Sequence, residues 1–252
     1  MPRRTGIILA CDISDPELAE EAIVPLMPYI DFVKVGLEAM TAEDFEGFST
    51  ATFVRQLTIE DFGKNVMWDM KLHDIGNTVG AAAKNIVDLG SKMFTLHASA
   101  SDAALKAAAD AAGKQSLALA VTVLTDLDDA QCQLRFLPRN ADPVDEFAKR
   151  LVVNFAKIAY GCGIRGFVCS AQEAQLIRSV TPPVTIVTPA IRPLWAVKPD
   201  EQKRVTTPAQ ASAAGADFVV IGRPILKPPN GMTSVEAVQR IREELDNAPV
   251  AA

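Results

Sequence analysis

The stretch Trp68-Asp69-Met70-Lys71-Leu72-His73-Asp74-Ile75 sets two acids, a lysine and a histidine among apolar residues. In an extended chain side chains alternate, so Asp69 and Lys71 share one face. Lys34 ends a comparable apolar run, Phe32-Val33-Lys34-Val35-Gly36, and Asp12 ends Ile7-Ile8-Leu9-Ala10-Cys11. Unlike charges brought together hold one another in their ionised forms. A lysine kept protonated in this way can donate a proton and stabilise a developing negative charge, but it is a poor nucleophile. That disfavours a Schiff-base aldolase, which needs a neutral amine. A purely structural ion network is the alternative for any one of these residues. Buried pairs contribute little net stability, so the convergence of four or five such charged groups at successive strand ends points to chemistry.

A second group could bind an anion. Gly222-Arg223-Pro224 closes one apolar run near the end of the chain, and Thr188-Pro189-Ala190-Ile191-Arg192-Pro193 closes the one before it. A glycine lets the backbone approach a phosphate closely, and the arginine fork grips its oxygens. Gln202, in the segment Pro199–Arg204, adds an amide donor.

The elements that must carry these residues are short apolar runs alternating with Ala-rich segments of helical spacing. The runs Ile7–Asp12, Asp31–Gly36, Val66–Lys71, Lys92–His97, Leu117–Thr122, Gly166–Ser170, Val184–Thr188 and Asp217–Gly222 read as buried parallel strands. Helices are expected over Glu17–Met27, Val79–Leu89, Asp102–Ala112, Pro143–Ala159 and Ser234–Leu245. Ser14 with Glu17 suits a capping box, and Thr207-Pro208 with Gly215 suits a helix start and stop. Eight strand–helix units predict a (β/α)8 barrel, one domain over residues 1–252, with a doubly wound sheet as the runner-up. Barrel enzymes keep their chemistry at the C-terminal ends of the strands and bind phosphate after strands 7 and 8. The two groups of residues fall at those places. The longest connections, about residues 124–142 and 190–205, join the same rim.

Composition narrows the class. With 25 Lys+Arg against 31 Asp+Glu, the net charge of −6 argues against a general nucleic-acid binder. No run approaches the ~20 apolar residues that cross a bilayer. Arg3-Arg4 before the first apolar run only faintly resembles a secretion signal, since Asp12 interrupts it. Cys11, Cys132, Cys162 and Cys169 form no CxxC pair and the chain has only two histidines, so a His/Cys metal site is not expected. Free buried thiols suit a reducing cytoplasm.

Asp69-Met70-Lys71-Leu72-His73-Asp74-Ile75 resembles the Asp-x-Lys-x-x-Asp-Ile signature of the orotidine 5'-monophosphate decarboxylase family. The likeness continues through Gly76-Asn77-Thr78, Asp12, the Lys34 run, Val121–Thr125, Val168-Cys169-Ser170 and both phosphate segments, covering about residues 7–226. It implies decarboxylation of orotidine 5'-monophosphate to uridine 5'-monophosphate with neither metal nor organic cofactor. It also implies roles. Lys71 protonates C6 of the pyrimidine, Asp69 faces the substrate carboxylate, and Lys34 and Asp74 complete the array. Asp74 and Thr78 reach into the site of the partner subunit of a homodimer. Asp12 and Lys34 hold ribose hydroxyls and Thr125 the pyrimidine, while Arg192, Gln202, Gly222 and Arg223 bind phosphate. His73 and His97 are read as packing or hydrogen-bonding residues, and Trp195 as either a loop anchor or an exposed ring.

Two positions depart from the family pattern, Ala190 where glycine is common and Ala100-Ser101 where a glycine pair often stands. Two alternatives remain. A Mg²⁺-dependent sugar-phosphate decarboxylase or synthase of the same barrel group would want a histidine on a later strand, and none follows His97. A non-catalytic nucleotide-phosphate binder leaves the charged cluster unexplained.

Overall fold

Apolar segments too short for helices must satisfy their backbone sideways, and here they do so in a ring. In the computed structural model, which describes residues 4–42, 49–138, 141–181, 183–197 and 206–249, eight parallel strands close into a barrel in chain order. They are β1 (Gly6–Cys11), β2 (Phe32–Gly36), β3 (Asn65–Leu72), β4 (Met93–His97), β5 (Leu117–Val121), β6 (Gly166–Val168), β7 (Thr185–Thr188) and β8 (Phe218–Ile221). Pairing of Ile7 with Val219 and of Ile8 with Phe32 ties β1 to both neighbours and removes the open edge that a doubly wound sheet would have.

The helices are α1 (Pro16–Ile23), α2 (Leu37–Thr41), α3 (Thr50–Gln56), α4 (Gly76–Asp88), α5 (Asp102–Ala112), α6 (Asp129–Phe136), α7 (Phe147–Gly161), α8 (Ala171–Val180), α9 (Pro208–Ala213), α10 (Arg223–Leu226) and α11 (Ser234–Asp246). Several boundaries differ from expectation, each for a local reason. Asp15, not Ser14, caps α1 by accepting from the Leu18 N–H, while Ser14 donates to Glu38. The α1 helix stops at Ile23 because Pro25 has no N–H to continue it, and Val24–Leu26 forms a 3₁₀ turn. The connection after β5 contains α6, opened by a reciprocal Asp128–Gln131 capping box. The start of α7 is delayed to Phe147, where the Asp129 carboxylate on α6 accepts from the Ala148 N–H. Thr207 caps α9 ahead of Pro208 as expected. Among the described residues no helix is long and apolar enough to cross a membrane.

The period of two sorts the strand side chains into two cores. Ile7, Leu9, Val33, Val35, Val66, Trp68, Phe94 and Leu96 point outward and pack under the helices. Ile8, Phe32, Met67, Met93, Leu119, Val187 and Val220 fill the barrel itself. At the N-terminal end of the strands the charges are structural. Asp31 accepts from the Ile7 N–H at 2.7 Å and pairs with Arg242 at 3.0 Å. Asp217 pairs with Arg178 at 2.8 Å and accepts from the Ile186 N–H. Above the apolar layer the same inward parity carries Lys34, Asp69 and Thr95 toward the other mouth.

Candidate active site

Following the inward positions up β1, β2, β3 and β4 leads from apolar to charged side chains. On β2 the sequence is Phe32, Lys34, Gly36; on β3 it is Met67, Asp69, Lys71; on β4 it is Met93, Thr95, His97. Asp12 stands just past the end of β1. The Lys34 ammonium lies 2.9 Å from Asp12 and 3.4 Å from Asp69, and the Lys71 ammonium lies 2.9 Å from Asp69. Four groups expected to converge therefore form one alternating array, acid–lysine–acid–lysine.

The array is graded in exposure. The Lys34 side chain is 10% accessible, Asp69 14%, Lys71 31% and Asp12 50%, so the middle of the array is buried and both of its ends meet solvent. Burial alone would push the Asp69 carboxyl up. Lys34, then Lys71, and the hydrogen bonds from Lys71 and Thr95 outweigh it and hold Asp69 below the usual carboxylate range. Gly36 makes room for this packing: a Cβ there would stand 3.0 Å from the Lys34 Nζ and 3.3 Å from an Asp12 carboxylate oxygen.

A cavity of about 490 Å3 opens beside Asp12 and is also lined by Ala10, Ser14, Gly222 and Arg223. Its size is that of a small-molecule site. Two of the expected phosphate residues thus share a cavity with one end of the array. Gly222 sits against β1, where a Cβ would meet that of Ala10 at 3.2 Å. Arg192 is half-buried, and its N–H donates to the Thr206 carbonyl at 3.0 Å, closing the base of the segment between them. Gln202 lies outside the described residues. Trp195 is half-buried against the core with the Arg240 guanidinium 5.3 Å from its ring centre, so it anchors the start of that segment.

Three expected residues are not gathered with the array. Asp74 is exposed and accepts from the Ile75 N–H at 2.6 Å; Thr78, in the first turn of α4, and Thr125, beyond β5, are exposed as well. The two histidine rings meet at 5.4 Å between centres with their planes tilted by 59°. Burial, then His73 and Lys71, hold His97 below its ordinary range and favour the neutral ring, against the opposing pull of Asp69. All four cysteines are free and buried, and burial, aided by Asp12, pushes the Cys11 thiol up to about 12. They pack rather than react. Among the described residues no three His, Cys, Asp or Glu side chains are grouped to hold a metal ion.

Sequence reasoning missed Thr95. Its hydroxyl donates to Asp69 at 2.9 Å and accepts from the Lys71 N–H at 2.9 Å. The available signal was a lone polar residue at an inward position of the apolar strand Met93–His97.

Residues 5–238 match the model of the "Orotidine 5'-phosphate decarboxylase / HUMPS family". The chain belongs to this family. An orotidine 5'-phosphate decarboxylase of Syntrophomonas wolfei is 38% identical over 98% of this chain and all of its own length. One of Rhodopseudomonas palustris is 38% identical over 94% of each chain. The crystal structure of orotidine 5'-phosphate decarboxylase from Lactobacillus acidophilus superimposes with a TM-score of 0.74 at 27% identity, covering 96% of this chain and 99% of that one. The decarboxylase / HUMPS family match spans all eight strands, and so takes in both ends of the charged array and the Gly222-Arg223 pair.

Ala190 carries a cost in this family member. Its φ of 61° lies in the left-handed region, where an alanine costs roughly 1–2 kcal/mol. Glycine would remove that cost while gaining about 0.4–1 kcal/mol of unfolded-state entropy to lose. Ala190→Gly is therefore expected to stabilise the protein by about 0.5 kcal/mol, seen as a rise of about 1–2 °C in thermal midpoint. A fall in the midpoint would show that the alanine methyl contributes more than its backbone costs.

Proposed function

We propose that this chain converts orotidine 5'-monophosphate to uridine 5'-monophosphate and CO₂, the last step of uridine monophosphate synthesis, without a metal or organic cofactor. The observation that carries the proposal is the inward-facing Lys34–Asp69–Lys71 alternation at the barrel mouth, in a chain whose relatives bear the decarboxylase name.

The chemistry follows from those positions. As the bond from C6 to the carboxylate carbon breaks, its electron pair stays on C6. The fixed Lys71 ammonium stabilises that charge as it develops, which is the largest contribution a preorganised site makes. An N–H proton of Lys71 then passes to C6, and solvent returns the proton to the amine. Asp69 pairs with both lysines, at 2.9 Å from the Lys71 ammonium and 3.4 Å from that of Lys34, and faces the departing carboxylate. Asp12 and Lys34 take the ribose hydroxyls, and Thr125 the pyrimidine. Arg192, Gln202, Gly222 and Arg223 hold the phosphate. That remote binding energy serves the reaction when it orders the site around the reacting carbon.

The active form in this proposal is a homodimer in which Asp74 and Thr78 complete the site of the other subunit. In support, both are exposed, Asp74 takes no part in its own chain's array, and Ile75 beside it is 67% exposed. The cytoplasm is the proposed location, and the four buried free thiols suit that reducing compartment.

The test is to mix the protein with orotidine 5'-monophosphate and follow loss of the orotate absorbance with and without EDTA. Turnover unaffected by the chelator is expected. A folded protein that leaves the substrate intact would overturn the proposal, and activity lost to EDTA would favour the Mg²⁺-dependent alternative.

A further inference from the structure

The pairing of β3 with β4 is irregular at the reacting residues. Trp68 pairs with Phe94, and the next pair is Leu72 with Leu96. Asp69, Met70 and Lys71 thus lie opposite Thr95 alone. The two extra residues of β3 keep the inward parity, so a pair of inward side chains, Asp69 and Lys71, faces one on β4. A regular ladder would have spaced the carboxylate and the ammonium along the strand with one partner each.

The bulge leaves Lys71 with a φ of 49°, in the left-handed region that lysine rarely adopts. Its N–H has no ladder partner there and donates instead to the Thr95 Oγ1 at 2.9 Å. An N–H can only donate, so the hydroxyl accepts from Lys71 and its own hydrogen goes to the Asp69 Oδ1, at 2.9 Å. That choice orients the carboxylate. With Oδ1 held by Thr95, Oδ2 is left for both lysines, at 2.9 Å from Lys71 and 3.4 Å from Lys34. Thr95 is fully buried, so no water competes for these bonds.

We propose that Thr95 is a positioning residue for decarboxylation, its one hydroxyl fixing both the backbone that carries the Lys71 ammonium and the carboxylate plane of Asp69. The inference rests on the decarboxylase reading. Misplacing a reacting group by about 1 Å can cost 10²-fold in rate. Thr95 touches no reacting atom, so the loss falls on turnover rather than on nucleotide binding.

The experiment compares wild type with Thr95→Val, which keeps the shape without the hydroxyl, and Thr95→Ser, which keeps the hydroxyl. Thr95→Val is expected to lower kcat roughly 10²-fold while uridine 5'-monophosphate binding stays within about threefold; Thr95→Ser should remain within about threefold of wild-type kcat. Exchange of the Lys71 amide hydrogen should quicken in Thr95→Val and not in Thr95→Ser, whatever the substrate proves to be. If Thr95→Val does not fold, Thr95→Ala against Thr95→Ser must show the same kcat gap. Wild-type kcat in a folded variant lacking the hydroxyl overturns the inference, as does a Thr95→Ser variant as slow as Thr95→Val, or a kcat loss matched by equal loss of binding. Failure of the wild type to decarboxylate overturns the function instead, and the amide exchange still decides the role of Thr95.

Discussion

Lys71→Ala is expected to lower kcat by about four orders of magnitude or more while uridine 5'-monophosphate still binds. Two contributions are lost together. Removing a general acid costs typically 10²–10⁴-fold, and removing one preorganised electrostatic contact about 10²–10³-fold. The fold should survive, because Asp69 keeps its contacts to Lys34 and Thr95 and the barrel interior below it is untouched. The measurement is single-turnover decarboxylation beside a product-binding titration and a thermal melt. Turnover within tenfold of wild type in a folded Lys71→Ala protein would remove Lys71 from the proton-donor role.

The second large effect is a recovery rather than a loss. Asp69→Asn and Asp74→Asn should each be inactive alone, since each removes one carboxylate from every site. In a dimer that shares sites, mixing the two variants and allowing subunit exchange creates hybrids. One site of a hybrid carries both substitutions and the other carries neither. Random exchange at equal concentrations makes half the dimers hybrid, so about a quarter of wild-type activity should return. Among the described residues of its own chain Asp74 accepts from the neighbouring Ile75 N–H and meets no member of the array, which suits this arrangement. If exchange is demonstrated and no activity appears, Asp74 acts within its own subunit or not at all.

Much of this was readable from residue order. The strands were legible because each apolar run is bounded by polar residues and is too short to be a helix. The converging charges were legible because parity places Asp69, Lys71 and Lys34 on inward faces whatever the details of the loops. The failures were local and long-range by turns. Pro25 was passed over inside a helical pattern, and Asp15 competed successfully with Ser14 for the same cap. The α7 start was set by Asp129, 19 residues away in sequence, which no local rule sees. Thr95 escaped for a deeper reason. Its importance comes from a register shift between two strands, and a register shift has no signature in either strand alone.

The backbone of Lys71 has an implication for laboratory evolution. Folding would favour glycine or asparagine at a φ of 49°, since both tolerate the left-handed region better than lysine. Neither has an ammonium. A library screened only for thermostability or expression should therefore drift away from lysine at position 71 and accumulate well-folded, inert barrels. Selection for growth would hold the lysine against that drift. The residue assigned the proton transfer is also one at which stability and catalysis ask for different side chains.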